Sequence, residues 1–505
     1  MTRSGLLATA ASLVVLAGGA QAADTKAMPT KAKPVQYVRI CTLYGDGFYY
    51  IPGTETCIKI GGKVQEDIAW NATGARTPNY FGLGGSQDRT STQLSTRGRV
   101  DMAMDARSQT QYGVVRSVAL MHFQNQDQAE TFNTARAFIQ WAGWTFGRIK
   151  SYQDTFALND TWNIEQGQTN SDTGANGVQS IAYTFDFGGG VTLDAGADDR
   201  RTKPLINLGS SAALKIGAEP TDTHSSQSWP DTYLALHIDE TWGFVAASGG
   251  IHNVNAGYYS ANGTSTGPFA SFKSCSQGST TQCGHPSDAV GYFGQVGGEL
   301  KLPALGPGDK IGWGARYAVG ATQFGAGSQL SSPALFGSGN TAGLGFSSDG
   351  VFVNGSRIEL TRAMALQGGY MHYWMPTLST DIFVGYSKVT YDATAQSYFA
   401  GAVCGAAGTG ATAQASFSVS KTLNDCNPNW AYMELGSRTT WTPFPDLQIS
   451  AQIMYNQVWS GFKGVGTLLA APSVGARPIG AYVFADQHIF TGYFRIARTY
   501  SSATE

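Results

Sequence analysis

The chain has 505 residues, of which 64 are glycine, 12% are aromatic and only 13% are charged, about half the roughly 25% charge of an ordinary soluble domain. Lysine and arginine (33) nearly balance aspartate and glutamate (35), which argues against a nucleic-acid partner or a basic membrane-surface patch. Any electrostatic function therefore has to be local.

Arg3, an apolar run from Leu6 to Ala17 and the small-residue sequence Ala20-Gln21-Ala22 read as a secretory signal over residues 1–22, cleaved before Ala23. Beyond it no run approaches the roughly 18 apolar residues of a transmembrane helix, so a membrane location has to be reached by strands, which show lipid only every second side chain. Six cysteines in an exported chain point to disulfides. Cys41 and Cys57 flank an aromatic turn, Cys275 and Cys283 lie in one polar stretch, and Cys404 and Cys426 lie in another, so nearest-neighbour pairing closes three local loops. The alternative leaves some of them as free thiols.

From Cys57 the odd and even positions separate. Ile58, Ile60, Gly62, Val64 and Ile68 fall on one side, with Glu66 as the exception, and Lys59, Lys63, Gln65 and Asp67 fall on the other. This is the period of a strand with one apolar and one wet face. The same period, read with turn signals, predicts sixteen strands, at 57–71, 94–107, 112–124, 133–141, 145–152, 178–187, 191–199, 231–239, 244–253, 289–301, 309–321, 354–371, 380–393, 430–441, 447–458 and 487–500. Connections after even-numbered strands are short, and those after odd-numbered strands are mostly long, the shortest lying near Asn125 to Thr131. Short turns on one side and long loops on the other are the asymmetry of an outer-membrane barrel; a propeller would instead repeat at about 40 residues per blade.

The faces agree. In the second predicted strand Leu94, Val100, Met102 and Met104 share one side, while Arg97, Arg99, Asp101, Asp105 and Arg107 share the other. The last strand turns Phe490, Gly492, Phe494, Ile496 and Tyr500 outward and Tyr493 and Arg495 inward, with Arg498 on the apolar side, where it has to snorkel to the interface.

Several stretches carry a resemblance to a known family. YVRIC (Tyr37 to Cys41) followed by an aromatic turn and YIPGTETCIKIGG, RAFIQWAGWTFG (Arg136 to Gly147), IAYTF (Ile181 to Phe185), WPDTYLALHIDETWG (Trp229 to Gly243), HYWMPTLSTDIFVGY (His372 to Tyr386), GSRTTWTP (Gly436 to Pro443) and GYFRIARTY (Gly492 to Tyr500) together resemble the alphaproteobacterial outer-membrane porins. The resemblance implies a periplasmic N-terminal segment over 23–56, a barrel over 57–500, a homotrimer packed through the strands near the two termini, and a third external loop that folds into the pore. The chain departs from the family pattern by running past Tyr500 with SSATE (501–505).

That third loop, about 153–177, carries Asp154, Asp160, Glu165 and Asp172 and no lysine or arginine. The flanking strands offer Arg97, Arg99, Arg116, Arg136, Arg148 and Lys150, read as facing inward, so an inward fold of the loop sets carboxylates against a basic wall. The alternative is a solvated loop, with the arginines paired to Asp101 and Asp105. No G-x-S-x-G elbow, H-E-x-x-H or C-x-x-C is present and the seven histidines are scattered, so no catalytic residue, metal or cofactor is expected. The reading is an all-β, sixteen-stranded antiparallel transmembrane barrel in the outer membrane, in contact with its lipid, passing small hydrophilic solutes and ions. A surface adhesin or structural barrel without an open pore is the alternative.

Overall fold

The computed structural model describes residues 39–71, 93–155, 164, 173–174, 176–210, 213–215, 219–259, 284–327, 332–336, 340–405, 417–420, 425–468 and 478–501. Sixteen strands form the wall: β1 Cys57–Trp70, β2 Leu94–Thr110, β3 Gly113–Gln126, β4 Ala129–Trp141, β5 Trp144–Ile149, β6 Val178–Gly188, β7 Val191–Asp198 and β8 Asp231–Glu240. They continue as β9 Gly243–Val254, β10 Ala289–Lys301, β11 Lys310–Val319, β12 Arg362–Met375, β13 Leu378–Thr390, β14 Trp430–Phe444, β15 Leu447–Trp459 and β16 Gln487–Ser501. Each pairs antiparallel with its neighbours, and β16 pairs with β1 through registers such as Asp67 with Arg495 and Ile68 with Phe494. The sheet is therefore closed and has no open edge. Among the described residues no helix is long and apolar enough to cross a membrane, so the crossing is made by strands.

Alternation decides which side chains see lipid. On β1, Asp67 and Ala69 are 0% exposed while Ile68 between them is 40% exposed, and the same contrast recurs along β2 and β16. Tyr112, Trp141, Trp144, Phe187, Trp242, Trp374, Trp441, Phe444 and Tyr500 stay exposed beside the short turns, forming the aromatic girdle of one membrane interface. Arg498 reaches that interface and pairs with Asp446 in the β14–β15 turn at 2.9 Å.

Several strand boundaries differ from the sequence reading, most at three places. The β3–β4 connection is only Asp127-Gln128, both at positive φ (49° and 70°), a mirror-image tight turn braced by Asp127 carboxylate acceptance from Ser95 Oγ and Thr96 N. β12 begins at Arg362 rather than near 354, because Gly350–Phe352 pairs with Leu205–Asn207 and with Glu359–Leu360 in a separate three-stranded sheet. β12 also runs on to Met375, so the tight turn before β13 is Pro376-Thr377. Alternation marks a strand but not its partner, which is why it misassigned these segments.

The long connections after β11, β13 and β15 carry structure of their own. Residues 334–336, 341–344, 480–484, 464–468, 417–420 and 404–405 form a six-stranded sheet. It packs with helix Ala393–Val403, whose first turn is capped by the Asp392 carboxylate accepting from Ala395 N at 2.8 Å. Phe346, Phe399, Phe417, Phe462, Phe484, Trp430 and Tyr432 bury their rings in this cluster. Cys404–Cys426 staples the end of the helix, and Cys41–Cys57 joins the N-terminal turn to β1, with Cα separations of 6.3 and 6.0 Å. Cys275 and Cys283 lie outside the described residues.

Candidate functional site

The inner face of β16, β1, β2 and β3 is a continuous array of ions set by register. Asp67 stands directly opposite both Arg97 on β2 and Arg495 on β16. Its carboxylate accepts from Arg97 Nε (3.0 Å) and Nη2 (2.7 Å) and from Arg495 Nε (2.6 Å). One step toward the N-terminal end of β1, Asp101 takes Arg99 Nε at 2.6 Å, His122 Nδ1 at 2.6 Å and Lys63 Nζ at 3.6 Å. Asp105 takes Arg107 at 2.7 Å and Arg116 at 2.9 Å. The described wall thus holds the arginines in pairs with carboxylates, yet Lys63, Arg97, Arg99, Arg107, Arg116 and Arg495 outnumber Asp67, Asp101 and Asp105. The excess positive charge sits where low-dielectric walls strengthen its field.

Residues 151–155 leave β5 and bond to strands four to six places further round the barrel. Ser248 Oγ on β9 donates to Gln153 O at 2.6 Å, Gln295 Nε2 on β10 donates to Gln153 Oε1, and Arg316 Nη2 on β11 lies 3.8 Å from Asp154 Oδ1. Asp154 Oδ2 accepts from Thr173 N (2.9 Å) and Thr173 Oγ1 (3.1 Å), tying the two ends of the segment together. Ile164 touches a different part of the wall. Its N–H donates to Gln452 Oε1 on β15 at 2.6 Å, its carbonyl accepts from Arg495 Nη2 at 3.4 Å, and its side chain belongs to one buried cluster with Ala69, Met371, Phe383, Met454 and Tyr493.

Of the residues singled out from sequence, Arg97, Arg99 and Arg116 lie on the inner wall, and Arg136 donates from Nη2 to Gly174 O at 2.6 Å. Arg148 does not face inward. It pairs with exposed Ala137 and shares the face of Trp144 and Phe146, and its Nε donates to Asn176 O. Gly147, just before it, has a positive φ of 123°. Lys150 is exposed beyond the end of β5. Asp160, Glu165 and Asp172 lie outside the described residues. The sequence reading missed the central part played by Asp67, although its parity with Gln65 and Lys63 placed it inward; its two partners become visible only once β16 is paired with β1. Beside the segment, a cavity of about 570 Å³ is lined by Arg116, Gln140, Thr145, Tyr152, Asp194 and His237 among others.

A closed antiparallel barrel of sixteen strands, apolar outside and charged within, defines a multi-pass β-barrel of the outer membrane. The chain belongs to a family of such barrels: the porin subfamily model matches residues 26–493. Curated relatives include Porin Omp2b of Brucella suis, 29% identical over 265 residues, covering 48% of this chain and 64% of the relative. Porin Omp2a of Brucella ovis is 31% identical over 223 residues, covering 39% and 60%, and a putative outer membrane protein, y4fJ, of Sinorhizobium fredii is 29% identical over 187 residues, covering 36% and 50%. The chain spans about half to two thirds of the length of these relatives. Among solved structures, the outer membrane channel DcaP of Acinetobacter baumannii superposes with a TM-score of 0.54 at 13% identity, over 89% of this chain and 99% of that one, a likeness of fold.

Proposed function

We propose that the protein is a water-filled channel for passive diffusion of small hydrophilic solutes and ions, without turnover or energy coupling, and that the loop after β5 narrows it. The observation that carries this reading is the pair of hydrogen bonds between Ile164 and Gln452 and Arg495, because a loop swung out into solvent could not touch inward-facing residues of β15 and β16. On this reading Asp154, Asp160, Glu165 and Asp172 oppose the excess positive charge of the β16–β3 wall and set up a transverse field on passing ions. Changing Asp160→Asn together with Glu165→Gln is expected to shift permeability toward anions. Changing Arg116→Gln together with Arg136→Gln shifts it toward cations. Both shifts shrink as salt rises from about 0.1 M to 1 M, where the screening length falls from roughly 10 Å to 3 Å. Reversal potentials measured across planar bilayers decide the matter; values unchanged at low salt in both pairs of variants would rule out this site.

The channel is proposed to work as a homotrimer. Glu66 points outward on β1 between half-exposed Val64 and Ile68, opposite Gly98 and Ile496, with no ion pair among the described residues. A carboxylate in the lipid-facing apolar band is unfavourable, and a second copy of the chain covering β1–β3 removes it from lipid. Outward Val115, Ser117, Ala119 and Met121 of β3 are small or moderately sized and suit close packing of walls. The expected result is a heat-labile band at about three times the monomer mass in mild detergent, close in character to other closed oligomers. A monomer under the gentlest extraction counts against the trimer.

A further inference from the structure

Away from the wall described above, two histidines share one buried carboxylate. Asp349, 0% exposed in the loop after β11, accepts at Oδ2 from Lys203 N (2.8 Å) and at Oδ1 from Thr322 N (2.8 Å). Its backbone N–H donates to Pro204 O and its carbonyl accepts from Thr361 N. His224 Nε2 lies 3.8 Å from Asp349 Oδ2, and His252 Nε2 lies 3.5 Å from the same oxygen. The other nitrogen of each ring is already committed: His224 Nδ1 meets Asp222 Oδ1 at 2.8 Å and His252 Nδ1 meets Asp231 Oδ1 at 2.7 Å. Both Nε2 atoms are buried and make no hydrogen bond among the described residues.

This arrangement constrains where the protons are. A carboxylate beside Nδ1 accepts only, so each Nδ1 carries hydrogen. The proton that comes and goes is then the one on Nε2. When it leaves, a bare lone pair on each ring faces the Asp349 oxygen, and attraction becomes repulsion on both sides. The charged groups around them are Asp198, Asp222, Asp231 and Asp349 together with Arg200, Arg201 and Lys203. Arg200 donates to Asn253, Asn255 and Ser225 O, and Arg201 donates from its backbone N to Asp231 and from Nη2 to Asp198 at 3.3 Å while its guanidinium stacks over Phe324. Asp222 stays ionised: burial opposes its charge, but the His224 hydrogen bond and charge outweigh that and bring its carboxyl down to about 2. Glu219 is engaged by Ser332, and Tyr391 OH accepts from Ser348 Oγ at 3.3 Å.

We propose that Asp349, clasped between the imidazoles of His224 and His252, is a proton-operated latch that fastens the loop after β11 to the loop after β7 and to the end of β9, and that raising the pH releases it. The two loops already share the parallel pairing of Gly350–Phe352 with Leu205–Asn207, so the latch closes one end of a common sheet. The sign follows from the partner: a histidine that gains a carboxylate contributes stability at low pH and loses it as pH rises through its titration.

The test uses the full-length protein in liposomes with a nitroxide at Arg357→Cys, whose side chain is 77% exposed in the same loop. Between about pH 6 and about pH 10, a range that spans imidazole titration, the ratio of mobile to immobile label is expected to rise about tenfold, the factor equivalent to about 1.4 kcal/mol. In Asp349→Asn the charge that the two imidazoles face is gone, so the profile flattens, although one backbone donor, Lys203 N or Thr322 N, loses its acceptor. His224→Gln with His252→Gln also flattens it. A flat profile in the otherwise unaltered protein overturns the latch, and so does a transition that survives in Asp349→Asn, the variant to rely on if the double histidine change does not fold. Label mobility does not depend on conduction, so this result stands apart from the channel reading.

Discussion

Replacing Asp154 with alanine is expected to raise single-channel conductance and current noise while leaving the barrel folded. The carboxylate accepts twice from Thr173 and faces the buried guanidinium of Arg316. Losing it strands two donors and weakens the balance of a buried cation, together costing about 2–4 kcal/mol. The segment it ties is a loop, so that loss falls on local opening rather than on strand pairing. At about 1.4 kcal/mol per factor of ten, even the lower figure increases the open population by about 30-fold. Asp154→Asn retains one acceptor and should fall between. Planar-bilayer recordings check this; a folded alanine variant with unaltered conductance and noise would show that the Asp154 bracket does not hold the loop.

The second large effect is expected at Asp67. Its carboxylate is 0% exposed and binds Arg97 on β2 and, across the seam where the last strand meets the first, Arg495. Asp67→Ala leaves two guanidinium groups facing one another with no shared counter-ion, and breaking a buried pair in this way costs about 3–5 kcal/mol. Thermal unfolding should move down by several degrees, and low-salt reversal potentials should shift toward anions because one negative charge has left the wall. Adding Arg97→Gln should recover part of the stability, since partners in one network are not additive. Equal melting of the single variant and the parent protein, or strictly additive losses in the double variant, would refute the role of Asp67 at the seam.

Strand number and facing were legible in the residues themselves, because a wall with lipid on one side and water on the other forces a two-residue period on every strand. That period is why Arg97, Arg99, Asp101 and Asp105 could be placed on one face and Val100 and Met102 on the other without any partner strand being known. It also flagged Glu66 and Arg498 as exceptions. The period is local, however, and carries no information about which strand lies alongside. The meeting of Asp67 with Arg495 depends on closure between residues 428 positions apart. Arg148 lies outward with Trp144 and Phe146, the side that their shared parity gives it, so the inward reading of it did not follow the alternation of its own strand.

The loops show the same division more sharply. Their lengths and polarity identified them as connections, but the six-stranded sheet, the helix Ala393–Val403 and the Phe346 cluster arise from three connections far apart in the chain. None has the regular alternation that a membrane imposes, since each buries its rings against the other two. The Asp349, His224 and His252 cluster is likewise invisible in sequence, where its histidines look scattered. Sequence alone determined the barrel, because its two solvents act on each strand separately; the tertiary structure decided the ion pairs and the loop architecture, because those depend on which distant segments the closed wall brings together.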